Sequence, residues 1–561
     1  MGQKSSPSVD TKKIEVTMFT NVIIPILLFG ALVFFHELGH FTVAKLCGVF
    51  VERFAIGFGP AILKKRIGET EYAICAFPLG GYVKMRGQED LPDNVEEAQK
   101  TVNDPRSFAS QNVWKRIAIV IMGPTANFIL PIVVFTVLFL VGMPTPSTKI
   151  GNVAPDSPAA MAGLLPGDKI LQVNHQDVQT WNDLNKTIQN RANMETEIVV
   201  QRDNQPLTLQ VTPKLADDRN EFNEAIQSGK IGIDMVSYKP VIGVSDLNSK
   251  AYKSGLRTGD VITMVNQKPV QYWWQIQQEM QKNGDKKLTV QRGEKTLTSI
   301  EFDTSEQKIS NTGIEPGELF INKVVEKSIA EEKGMLAGDK IDSINGQKLS
   351  RWSDFRDTIM KNNGEAMKVG LIRNGKPVVV DITPDEVTQR NEVTNEKKKV
   401  RQLGVISESG AYPIDFYREK YTNVFKAFSR GFGETLTLTK QTFVGLGKLI
   451  TGKLPANSLG GPISIFYLAG TSYESGGWNS FFRLMALLSI TLAALNILPI
   501  PVLDGGHLFF FLIEAVKGSP VRPKVQAMAM QVGFYLLMGL MVFVFYVDIN
   551  RFFVDKIKAL F

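Results

Sequence analysis

Two histidines flank a glutamate in "LVFFHELGHFTVAK", residues 32–45, and they are half of the four histidines in a chain of 561 residues. His36 and His40 stand four positions apart, so on a helix both imidazoles project from one face and can share a metal ion. Glu37 lies beside them, where a carboxylate can take a proton from a metal-activated water. The chemistry this H-E-x-x-H pattern offers is hydrolysis, with His36 and His40 as ligands and Glu37 as general base. Two His ligands leave positions for a third ligand and a water. The competing reading is a chance match with satisfied core histidines. It is weakened by location, because ionisable groups at the end of an uninterrupted apolar run are costly and usually functional.

The third ligand must come from elsewhere. Cys47 follows His40 by seven positions, and "LNILPIPVLDGGH", residues 495–507, offers Asp504 and His507. Asp504 is the stronger candidate. Pro499 and Pro501 break the helix before it and turn it inward, and a carboxylate at membrane depth needs a partner that a metal supplies. His507 reads as a supporting or interfacial group.

These residues need elements to carry them. Four segments contain no Asp, Glu, Lys or Arg: Val16–Phe35, Ile117–Thr148, Leu484–Leu503 and Val525–Val547. Each supplies the roughly 20 residues that cross a bilayer core. We therefore expect a polytopic α-helical membrane protein with four transmembrane helices around a large polar middle. The first span lacks a small-x-small cleavage pattern and its apolar stretch is long for a signal peptide, so it reads as an anchor. Lys45, Arg53, Lys64, Lys65, Arg66, Lys84, Arg86, Lys115 and Arg116 place the segment between spans one and two on the cytoplasmic side, and Lys517, Arg522 and Lys524 place the connection between spans three and four there too. Both ends of the chain and residues from about 148 to 481 then lie outside. The net charge of +7 clusters near membrane ends and reads as topology, not nucleic-acid binding. Cys47 and Cys75 are the only cysteines, so the outer region has no disulfide and must be held by packing.

The long middle is a repeat. "SPAAMAGLLPGDKILQVN", "SKAYKSGLRTGDVITMVN" and "SIAEEKGMLAGDKIDSIN" align without a gap from Ser157, Ser249 and Ser328. Each copy continues with a turn, a Trp that opens a helical pattern, and alternating strands joined at Asn or Gly turns. The module resembles the PDZ domain of bacterial membrane and periplasmic proteases, a small α+β unit that binds extended peptides by strand addition. The alternative role is bulk alone. "EVTQRNEVTNEKKKVRQ", residues 386–402, reads as a polar linker. After it, Phe425, Phe428, Phe432, Leu436 and Leu438 lie among Lys and Glu residues, a pattern for an amphipathic helix on the outer membrane–water interface.

Within the cytoplasmic segment, Tyr72–Met85 alternates like a hairpin that could pair with substrate, with Gly80 and Gly81 allowing close backbone approach. The resulting order is residues 1–53, tail and first span with H-E-x-x-H; 54–113, the β-loop region; 114–144, the second span; 145–227, 228–312 and 313–388, the three modules; 389–481, linker and interfacial helix; 482–503, the third span; 504–524, a cytoplasmic L-D-G loop; and 525–561, the fourth span and C-terminus.

Taken in order, H-E-L-G-H, "FAIGFGP" (54–60), "FPLGGYVKM" (77–85), "GPTANF" (123–128), "GGPISI" (460–465) and "NILPIPVLDGGH" resemble the site-2 protease family, peptidase M50, in its bacterial group with PDZ domains outside the membrane. The resemblance implies a zinc metalloprotease that cuts transmembrane segments within the bilayer of the bacterial inner membrane. It implies Zn2+ held by His36, His40 and Asp504, Glu37 as base, and a membrane-dipping β-loop with Gly80, Gly81 and Tyr82 near substrate. It further implies substrate contacts at Asn496, Pro499 and Pro501, while Thr491 stands where many relatives have a second Asn. Asn127 is read as bonding between helices, or supporting the site. The implied partners are transmembrane helices of single-pass proteins, such as anti-sigma factors or signal-peptide remnants, peptide ligands of the PDZ modules, and the lipid bilayer. The alternative is a catalytically silent membrane scaffold with three PDZ modules, which has no reason to carry Glu37, both histidines and Asp504 together.

Overall fold

The computed structural model describes residues 19–88, 104–222, 224–282, 284–293, 296–302, 312–349, 351–390, 397–407, 411–413, 415–454 and 459–552. Two compact units form: Met1–Met143 with Asn391–Glu396 and Glu419–Phe561, and Pro144–Arg390 with Lys397–Arg418.

The first unit opens with α1, Ile24–Leu46, which has a proline in its first turn. H-E-x-x-H directly follows the uncharged apolar run that ends at Phe35. The helix itself runs on past His40, and Ala44, fully buried among Val49, Val51, Ile119 and Val120, extends its packed face. After α1, β1 (Val51–Ile67) and β2 (Thr70–Met85) pair antiparallel. The hairpin expected within Tyr72–Met85 is thus one side of a longer one, turning at Gly68 with φ +62°. Phe54 partners both Tyr72 and Val83, and Ala55 both Ala73 and Tyr82, so this stretch has a neighbour on each side. Among the described residues Gly81–Met85 pairs on one side only.

α2, Val113–Val141, starts where the Asn112 side chain accepts the Trp114 N–H. It crosses α1 closely: a Cβ on Gly39 would sit 2.3 Å from the Met122 carbonyl oxygen. α3, Val424–Ile450, the helix expected to be amphipathic, packs along α2. Its buried stripe is Ala427, Gly431 and Thr435, while Phe425, Phe428, Phe432 and Leu436 are exposed. Small residues facing a neighbouring helix are what membrane packing selects.

α4, Pro462–Ile497, is broken at Gly476–Gly477 and begins well before the expected start at 482. It ends at Ile497, short of the expected 503, because Pro499 and Pro501 cannot continue it. Asp504 therefore does not close this span. It opens a new helix, α5 (Asp504–Lys517), where a loop was expected. The glycines of L-D-G-G make this start compact: a Cβ on Gly505 would meet the Leu498 carbonyl oxygen at 2.2 Å, and one on Gly506 the Ile500 carbonyl oxygen at 2.5 Å. α6, Pro523–Phe552, follows. Its buried Asp548 accepts the Gly461, Ile463 and Ser464 N–H groups and so caps α4. Among the described residues α1, α2, α4 and α6 are long and apolar enough to cross a membrane.

The second unit holds three four-stranded sheets of one topology. Their strands, in spatial order, are Gln176–Asp177, Lys169–Val173, Thr196–Arg202 and Gln205–Val211; Lys268–Pro269, Val261–Val265, Lys286–Arg292 and Thr296–Phe302; and Gln347–Lys348, Lys340–Ile344, Met367–Arg373 and Lys376–Ile382. Each sheet is covered by one helix that begins at a Trp: Trp181–Gln189, Trp273–Met280 and Trp352–Lys361. The cores run from Ile150 to Ile231, Ile242 to Ile314 and Ile321 to Leu403. Each module thus takes in residues past the expected boundaries at 227, 312 and 388, because a late strand returns to pair beside its start. These pairs are Ile233–Asp234 with Asn152–Val153, Glu315–Pro316 with Ile242–Gly243, and Val405–Ile406 with Lys323–Val324. The expected linker is corrected in the same way: Asp385–Arg390 and Lys397–Gln402 form a hairpin of the third module.

The repeated Gly-Asp turn has a repeated purpose. Asp168, Asp260 and Asp339 are each almost fully buried, and each is gripped by both arms of an arginine, Arg202, Arg292 and Arg373, at 2.7 Å. The same arginines donate to the carbonyls of Gly163, Gly255 and Gly334, which lie at positive φ. A planar fork that satisfies a buried carboxylate fixes the loop against its sheet.

Candidate metal centre

α1 presents His36 and His40 on one face, and the start of α5 brings Asp504 to them. His36 Nε2 and His40 Nε2 lie 3.4 Å apart. Asp504 Oδ2 is 3.2 Å from the first and 3.5 Å from the second. A tetrahedral ion with bonds of about 2.0–2.2 Å holds its donor atoms about 3.3–3.6 Å apart, so the three atoms fit the edges of a zinc site. Asp504 Oδ2 is also buried with no hydrogen-bond partner. A buried carboxylate oxygen left open between two imidazole nitrogens is costly without a cation.

The ring nitrogens away from this point are held by α2. His40 Nδ1–H donates to the Ile119 carbonyl at 2.9 Å, which leaves Nε2 with its lone pair for a metal. The Asn127 amide lies 3.2 Å from His36 Nδ1, and its Oδ1 is buried without a partner. With that oxygen turned to the ring it accepts the Nδ1–H, and His36 Nε2 is freed in the same way. The Asn127 backbone carbonyl in turn accepts from Ser489 Oγ of α4 at 2.8 Å. Gly123 completes the fit: a Cβ there would lie 2.2 Å from His40 Nε2 and 2.9 Å from His36 Cε1. Sequence reasoning treated Asn127 as a side role and missed Ile119, Gly123 and Ser489. The spacing of "GPTAN" on one helix face was the available signal for the first and third of these four.

A cavity of ≈ 700 Å³ opens onto the three donor atoms and Glu37. Glu37 lies against the strand of β2 that, among the described residues, pairs on one side only. Gly81 permits this approach, since a Cβ there would come within 2.8 Å of Val33 and 3.3 Å of Glu37 Cγ. Gly80, at φ +132°, turns the chain under the Phe58 ring. Tyr82 lines the cavity, stacks on Phe58 at 6.3 Å and accepts from Arg53 at 3.1 Å.

The remaining expected residues separate. The Asn496 amide is 3.5 Å from His36 Nε2, beside the donor triangle. Pro499 and Pro501 line a different, apolar cavity of ≈ 420 Å³ against α6, with Met528, Val532 and Gly533. His507 lines the main cavity but is not among the clustered donors. Thr491 Oγ1 bonds within its own helix to Leu487, and Cys47 ends α1 outside the cluster.

The profile of Peptidase family M50 matches residues 24–540. Among curated relatives, the regulator of sigma-E protease RseP of Salmonella typhimurium is 30% identical over 532 residues, covering 94% of this chain and 97% of the relative. Protease RseP of Yersinia pestis is 31% identical over 523 residues, with 93% and 96% covered. The regulator of sigma-E protease RseP of Escherichia coli is 29% identical over 530 residues, with 93% and 96% covered. With a family match across nearly the whole length, this chain belongs to peptidase family M50.

Proposed function

We propose that the chain is an intramembrane zinc metalloprotease that hydrolyses peptide bonds in the transmembrane segments of single-pass membrane proteins, in regulated proteolysis of the kind its relatives are named for. The observation that carries this reading is the triangle of His36 Nε2, His40 Nε2 and Asp504 Oδ2, with sides of 3.2–3.5 Å, beside Glu37. When bound, zinc lowers the pKa of a coordinated water to about 7 and polarises a carbonyl.

The chain's residues do the rest. Ile119 and Asn127 hold the imidazoles so that both Nε2 atoms face one point. Glu37 takes the proton from the attacking water and delivers it to the leaving amide nitrogen. A substrate helix has its carbonyls bonded internally and must first be extended. The edge of Gly81–Met85, unpaired among the described residues, supports that step by strand addition next to Glu37, with Gly80, Gly81 and Tyr82 contacting substrate and Asn496 near the reacting carbonyl. The repeated sheet-and-helix units read as three PDZ-like modules that select or gate substrates by binding extended peptides. By the positive-inside rule the catalytic cluster lies toward the cytoplasmic side and the modules outside.

Asp504→Ala tests the reading. The variant is expected to lose both zinc and cleavage of a model single-pass substrate, and zinc retained at wild-type level would contradict it.

A further inference from the structure

α5 carries Asp504 at its first position, yet residues 498–503 before it hold two prolines and form no helix or strand. That loop seats the first turn of α5 through the close approach of Gly505 and Gly506 to its carbonyls, and the length of the helix beyond that turn rests elsewhere. α5 lies mainly on α2. Asp504, Leu508, Phe511 and Glu514 are spaced by four, three and three, so they share one face of α5. On α2 the facing stripe is Arg116, Ile119 with Val120, Gly123 and Asn127. Leu508 and Phe511 join Ile119 and Val120 in one apolar cluster.

At the far end of the contact from the metal centre, Arg116 Nη2 meets Glu514 Oε1 at 2.5 Å, with both side chains only 15% exposed. Arg116 also sits 4.9 Å over the Phe511 ring, and its Nε–H donates to the Gln111 carbonyl. Neither charge suits its own helix. Arg116 is in the first turn of α2, where the positive dipole end disfavours a cation, and Glu514 is in the last turn of α5, where the negative end disfavours an anion. Local helix stability therefore gives no reason for either charge, and each is satisfied by the other across the interface.

We infer that Arg116 and Glu514 are positioning residues that fix the rotation and axial register of α5 on α2, and so deliver Asp504 to the two imidazoles. Glu514 is ten positions from Asp504, about 15 Å along the helix axis, and a slip of one residue would move the ligand by about 1.5 Å and turn it by about 100°. Donor atoms set 3.2–3.5 Å apart do not survive such a shift. All three donors are then referenced to one helix: His40 through Ile119, His36 through Asn127 and Asp504 through Arg116.

The inference rests on the zinc reading above, and its test separates the two. Full-length wild type, Arg116→Ala, Glu514→Gln and the reversed pair Arg116→Glu/Glu514→Arg are purified in detergent, and zinc affinity is measured by competition with a chromophoric chelator. The visible spectrum of the cobalt-loaded protein and kcat and KM on a model substrate are recorded alongside. Each single variant is expected to bind zinc about 10–100-fold more weakly, with a changed cobalt spectrum and a fall in kcat at unchanged KM. The reversed pair is expected to recover most of the zinc affinity. Wild-type zinc affinity and cobalt spectrum in both single variants would overturn the inference. So would a loss of metal-free thermal stability with zinc affinity unchanged, which would assign the pair to the fold alone. Absence of zinc binding by wild type would instead overturn the underlying reading.

Discussion

Gly123 lies so close to His40 that a single added methyl would stand 2.2 Å from its Nε2. No rearrangement of a flexible tip relieves this contact, because the ring is pinned through Nδ1 to the Ile119 carbonyl. Gly123→Ala is expected to weaken zinc binding by about tenfold or more, from an overpacking cost of about 1–3 kcal/mol, as read by chelator competition. Gly30→Ala is the control: a Cβ there meets nothing within 4 Å, so zinc binding should be unchanged.

The Arg–Asp forks of the modules give a second expectation. Arg373→Ala leaves Asp339, 1% exposed, as a buried carboxylate without its countercharge. Breaking such a pair costs about 3–5 kcal/mol. Hydrogen exchange on the full chain should show faster exchange in residues 340–382, with residues 169–211 unchanged. Uniform exchange across both ranges would show that the fork does not hold the third module.

Acid should loosen the hairpin of residues 214–230. The Lys230 ammonium at 2.8 Å, helped by Ser228, holds the Asp218 carboxyl at about 2 against an ordinary 3.8. A lowered carboxylate value stabilises the folded state above the unfolded value and loses that contribution as pH falls through the folded one. Exchange protection of residues 214–230 should therefore hold above pH 4 and fall between about pH 4 and pH 2, and Asp218→Asn should lack this step.

The clustering of the donor residues was largely legible in the sequence because its signal is side-chain type at helical spacing. His36, Glu37 and His40 announce themselves, and Asp504 stands out as a carboxylate in an apolar run behind two prolines. Ile119 was not legible, since it contributes a backbone carbonyl that any residue would carry. Gly123 and Gly81 act by lacking a side chain, and only the packed structure shows what they leave room for. The amphipathic character of α3 was legible from its phenylalanines, which are exposed, but its contact face was not, because Ala427, Gly431 and Thr435 pack by being small. The paired strands 385–390 and 397–402 looked like a linker because Val387 and Val400 are their only apolar residues, too few for a period of two to show.

We propose Glu37 as the base of a zinc centre formed by His36, His40 and Asp504. The most direct test compares wild type and Glu37→Gln for cleavage of a model single-pass substrate in detergent, with zinc content measured on both. Equal zinc in the two proteins and cleavage by wild type alone are expected. Cleavage by Glu37→Gln at the wild-type rate, with zinc in place, would contradict that role.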